Sequence, residues 1–62
     1  MTQRDVMRDI WRRCRPDEEA AVREYAAREA RGEVERTSNR YDLTSEQYAR
    51  ALLADGLRKR WL

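Results

Sequence analysis

Few residues in this chain could act on a chemical bond. It contains no histidine, and Cys14 is its single cysteine. A thiol needs a neighbouring base to attack at neutral pH, so a nucleophilic Cys14 is remote. On an apolar helical face it reads as a small buried hydrophobe. One cysteine also leaves no intrachain disulfide and no multi-cysteine metal centre. There is no glycine-rich phosphate loop, and the carboxylates lie at helix starts or beside arginines, where capping and pairing account for them. Neither an enzyme nor a cofactor or metal site is expected. What remains is anion chemistry. The basic residues are thirteen Arg and Lys59, and a guanidinium presents a planar fork of donors suited to phosphate and carboxylate. Eight Ala accompany them, so a GC-rich coding sequence is the simpler source of the arginine excess and points to a bacterium or phage.

The charge is unevenly placed. Residues 1–15 carry five Arg against Asp5 and Asp9, a net +3; residues 16–35 carry seven acids against three Arg, a net −4; residues 36–62 carry six bases against three acids, again +3. Two basic ends around an acidic middle either gather positive charge on one face for nucleic acid or pair off into a mixed solvated surface. With 62 residues the chain makes one domain, and a domain this size buries only about 60% of its unfolded surface. A homodimer or a bound partner would supplement so small a core. No apolar run is long enough for a membrane span and no signal-peptide core is evident, so a cytoplasmic protein is expected.

The elements that must position these charges read as helices. Over 3–14, Val6, Met7, Ile10, Trp11 and Cys14 fall on one face, with Thr2 as the cap and Asp5 near the positive end of the dipole. Arg4, Arg8, Arg12 and Arg15 line the opposite face, where Asp5 and Asp9 can pair with Arg8, Arg12 and Arg13. The residue before a proline avoids the α region, so Arg15-Pro16 breaks this helix. Pro16 then suits the first turn of a second helix over about 17–31, ended by Gly32. Its favourable i, i+4 pairs are Glu19–Arg23 and Glu24–Arg28, and its apolar face is Ala21, Val22, Tyr25, Ala26 and Ala30. Residues 33–43 are ambiguous. Alternation over 33–37 suggests a strand with nothing evident to pair with, so a short or frayed helix over 33–41 is preferred.

A third helix starts sharply at Ser45. Thr44-Ser45-Glu46-Gln47 is a capping box, flanked by Leu43 and Tyr48 at the positions of a hydrophobic staple. Tyr48, Ala49, Leu52 and Leu53 share one face. Gly56 either ends this helix after Asp55 or lies inside a longer one at a cost of about 1 kcal/mol. The fold class is all-α: a small three-helix domain with the short fourth helix at 33–41.

Residues 38–57 resemble the helix-turn-helix (winged-helix-like) element of bacterial and phage DNA-binding regulators. Ser38 matches the small residue of that motif's first helix, Leu43 the aliphatic and Thr44 the cap; Asp42 departs from it, standing where the turn commonly has Gly, a left-handed position. Tyr48 and Leu52 match the inward positions. Leu53-Ala-Asp-Gly-Leu is similar to the end of a winged-helix recognition helix. The resemblance implies a small regulator on double-stranded DNA, with Ser45, Glu46, Gln47 and Arg50 reaching base edges in the major groove. Arg36, Arg40, Arg58, Lys59 and Arg60 would hold phosphates. Capping competes for Gln47, and an i, i+4 pair with Glu46 competes for Arg50. The other reading is a helical protein-interaction module, for example a phage protein docking on a host protein, since Trp and Arg often carry interface energy. Trp61 lies too near the C-terminus for easy burial in a monomer.

Overall fold

The computed structural model describes residues 2–36 and 41–62. Among them are three helices, α1 (Gln3–Cys14), α2 (Glu18–Ala30) and α3 (Ser45–Lys59), and no strand, which makes the chain a small all-α domain. Each helix starts on a side-chain cap that satisfies an N–H orphaned at the first turn. Thr2 Oγ1 accepts from the Asp5 N–H at 3.2 Å, and Asp17 Oδ1 accepts from the Ala20 N–H at 3.1 Å. Pro16 therefore lies before the cap of α2, not in its first turn. The reason is that Asp17 takes the cap itself, with extended φ −81 and ψ 91.

The C-terminus of α2 is a Schellman motif. Gly32 takes φ +80, its N–H donates to the Glu29 carbonyl at 3.0 Å, and the Glu33 N–H reaches the Arg28 carbonyl at 3.0 Å. From there the described chain does not re-enter a helix before Ser45. Residues 33–36 and 41 are non-helical, so the short helix expected over 33–41 is absent where it can be seen. Its remaining part, at 37–40, lies outside the described residues. Val34 explains part of the difference: its side chain is only 4% exposed and plugs the core, a tertiary contact that outweighs a weak local helix preference.

Gly56 lies inside α3, which runs on to Lys59. Arg60 ends it in the left-handed region at φ 60, and the Trp61 N–H turns back to the Gly56 carbonyl at 3.1 Å. A Cβ on Gly56 would stand 2.7 Å from Leu62 Cγ and 3.0 Å from Trp61 Cζ2. The missing side chain is thus the berth for the C-terminal Trp61-Leu62, a close approach that only glycine permits.

α2 is the central element, packed broadly on both α1 and α3, which meet each other less. One core cluster joins Val6, Met7, Ile10 and Trp11 of α1 to Ala21, Val22 and Tyr25 of α2, with Val34, Ala49 and Leu53. The expected apolar faces are therefore those that pack, save that Ala30 is exposed. The small Ala20 and Ala21 let α1 and α3 close on either side of α2.

Candidate nucleic-acid interface

Three interactions hold the start of α3. Thr44 Oγ1 accepts from the Gln47 N–H at 3.1 Å and Gln47 Oε1 accepts from the Thr44 N–H at 2.9 Å, so the capping box is complete. Ser45 Oγ donates to Glu29 Oε1 at 3.0 Å, which ties α3 to α2. Arg50 donates through both Nη atoms to the two oxygens of Glu19, with the Nη2–Oε2 contact at 3.1 Å. This bidentate clamp takes Glu19 from its expected partner Arg23, and Arg50 from Glu46. Two parallel N–H···O bonds outdo a single flexible i, i+4 contact. Donation from Arg50, foremost, holds the Glu19 carboxyl below its ordinary range and pushes the Arg50 guanidinium up.

Of the four residues expected at base edges, Gln47 is thus in the cap, Ser45 is turned to Glu29, and Arg50 is on Glu19. Glu46 remains exposed in the first turn. The surroundings of this end are acidic, with Glu18, Glu19 and Glu46 close to Arg50.

Among the expected phosphate contacts, Arg36 is drawn inward, its side chain 21% exposed. It donates to the Leu43 carbonyl at 2.9 Å, lies 3.7 Å from Glu29 Oε1 and sits 5.1 Å above the Tyr48 ring. That places it as a brace between the α2–α3 connection and α3. Arg40 lies outside the described residues. Arg58 and Lys59 share Asp55, at 2.9 and 3.4 Å, but keep most of their side chains in solvent. Arg60 is exposed beside them.

Two arginines join this cluster from the other end of the chain. Arg8 Nε donates to the Trp61 carbonyl at 2.9 Å, and the Arg4 guanidinium lies 5.0 Å above the Trp61 ring. Both belong to the line on α1 read from sequence as a solvated face paired with Asp5 and Asp9. Asp9 instead contacts Arg13 at 3.5 Å and Arg28 at 3.6 Å. A 53-residue separation leaves no local spacing from which the Arg8–Trp61 contact could have been read. The result is one basic end made of Arg4, Arg8, Arg58, Lys59 and Arg60 around a half-buried indole.

Part of the acidic middle of the sequence is held in ion pairs. Glu24 contacts Arg28 at 3.2 Å and Arg31 at 3.9 Å, and Glu33 contacts Arg31 at 2.9 Å. Other pairs cross between the charge blocks: Glu19 with Arg50, Glu29 with Arg36 and Asp9 with Arg28. Among the described residues, no group of His, Cys, Asp and Glu could hold a metal ion, and no helix is long and apolar enough to cross a membrane. Comparison of the chain with protein-family models, curated proteins and solved structures finds no match.

Proposed function

We propose that this protein is a small DNA-binding protein, a regulator that grips the phosphate backbone of double-stranded DNA with its basic end. The observation that carries the reading is the junction at Trp61, where Arg4 and Arg8 of α1 meet the Arg58-Lys59-Arg60 cluster. Four Arg and Lys59 from the two +3 segments thereby gather on one side, while Arg36 and Arg50 of the last segment are spent on Glu29 and Glu19 of the −4 segment. Converging cations raise the local potential and release counterions when they meet phosphates.

The turn before α3 supports the helix-turn-helix part of the reading. Asp42 adopts φ 51, the left-handed conformation that the motif requires there, followed by Leu43, the Thr44 cap and an inward Tyr48. That support extends over the turn and α3 only, since residues 33–36 are not helical. Base reading by Glu46 and Arg50 would need Arg50 to exchange Glu19 for a base edge. Anchoring by Arg58 and Arg60 needs no such exchange.

The test is a salt-titrated binding assay on mixed-sequence duplex DNA. The logarithm of affinity should fall linearly with that of salt, and Arg58→Ala with Arg60→Ala should flatten the slope by about two phosphate contacts. A protein with no duplex affinity at low salt would refute the reading. Docking on a partner protein would then lead, on the strength of Leu57, 39% exposed on the same helix end.

A further inference from the structure

The basic end contains a groove of about 290 Å³ lined by Arg4, Leu52, Asp55, Lys59 and Trp61. Its lining is unlike a plain phosphate site. Leu52 and the Trp61 indole are apolar, the Arg4 guanidinium lies over that indole, Lys59 adds a second cation, and Asp55 contributes a carboxylate. We infer that this groove seats one unpaired nucleobase of a nucleic-acid strand, stacked on the Trp61–Arg4 pair, with the neighbouring phosphates on the surrounding cations. The inference rests on the nucleic-acid reading above and adds to it the form of the ligand.

The physical argument is one of access. In a duplex the faces of each base are covered by its neighbours, so an indole or a guanidinium plane can stack only on a base that has left the helix stack. Phosphates alone would need none of these apolar groups. An aliphatic ligand would gain little from a guanidinium over an indole, whereas a π-face stacks on either. Asp55 supplies an acceptor for an exocyclic amino group. Arg58, the strongest influence on its carboxyl, donates a hydrogen bond that keeps its pKa below the ordinary value, so the acceptor form persists.

The experiment compares a short labelled oligo(dA) strand, the same strand paired with oligo(dT), and poly-glutamate. Binding is followed by label anisotropy and by tryptophan emission. Trp11 is 8% exposed, so a change in emission reports on Trp61. The single strand should bind more tightly than the duplex and quench the emission. Trp61→Ala should lower single-strand affinity by at least about fivefold while leaving duplex affinity nearly unchanged. If Trp61→Ala does not fold, Arg4→Gln, an exposed change on α1, should lower single-strand affinity by more than duplex affinity, the duplex losing only about one phosphate contact. Equal binding of both DNA forms without quenching overturns the inference and leaves the backbone-binding reading standing. Absence of binding to either form refutes both. Quenching by poly-glutamate as strong as by oligo(dA) also overturns it and makes the groove a docking site for an acidic protein segment.

Discussion

Thr44 shows how much a single side chain decides. Its hydroxyl and the Gln47 amide satisfy each other's backbone N–H groups, so the start of α3 is set locally and the base-edge role considered for Gln47 competes with a bond it already makes. Thr44→Ala removes a cap worth about 1 kcal/mol, which in a domain this small should lower the melting temperature by several degrees. An unchanged thermal melt would mean that the helix is held at that end by Ser45 and Glu29 instead. Arg60 shows the opposite balance. It occupies the left-handed region at φ 60, where an L-residue with a Cβ is strained by about 1–2 kcal/mol. Arg60→Gly should therefore raise the melting temperature by a few degrees while weakening DNA binding by about one phosphate contact. Calorimetry and a salt titration read the two effects separately; a lower melting temperature would show that the Arg60 side chain itself holds the tail.

At the level of elements, α3 and the C-terminal dipeptide form one unit through Gly56. Helix propensity alone favours Gly56→Ala by about 1 kcal/mol. The added Cβ would stand 3.0 Å or less from the Leu62 and Trp61 side chains, so those side chains must shift from their berth. Circular dichroism should show helix content kept or raised, while Trp61 emission shifts to the red and the Arg4 and Arg8 contacts to Trp61 are lost. An unshifted emission would mean the tail can slide without leaving its berth. The same shift would open the groove and separate the two basic ends, so this variant should also lose DNA affinity. The helix starts and the end of α2 were legible in the residues, whereas the end of α3 stayed open between Asp55 and a longer helix. Thr2, Gly32 and Thr44 stand at the expected ends, and Ile10, Val22 and Leu53 are buried as their spacing predicts. The missed element is the connection at 33–36, because Val34 is held by the core and the periodicity of five residues cannot say so.

For the molecule as a whole, Tyr25 is the point where the helices meet. Its hydroxyl is buried near Gln3, Glu29, Tyr48 and Arg36 and finds no hydrogen bond of normal geometry among the described residues. Burial, the largest cause, and the Glu29 charge push its pKa from 10.0 to about 12. The folded state thus keeps its proton when the unfolded state begins to lose it. The contribution is fully present below about pH 10 and is lost as pH rises through about 12. Denaturant midpoints measured across that window should fall for the wild type and fall less steeply for Tyr25→Phe. Parallel curves would place the phenol in contact with water.

Local physics determines the three helices of this protein, their caps and their apolar faces, because hydrogen bonds across three or four residues and a 3.6-residue period act within one turn. The sum and order of its charges are likewise a property of the chain. Only the tertiary structure decides where those charges go. Glu19 and Arg50 are 31 residues apart and Arg8 and Trp61 are 53 apart, and their pairing depends on α1 and α3 closing around α2 and on Gly56 leaving room for the tail. A guanidinium takes the partner that packing brings within reach, so sequence spacing named the arginines and the fold chose which of them face solvent together.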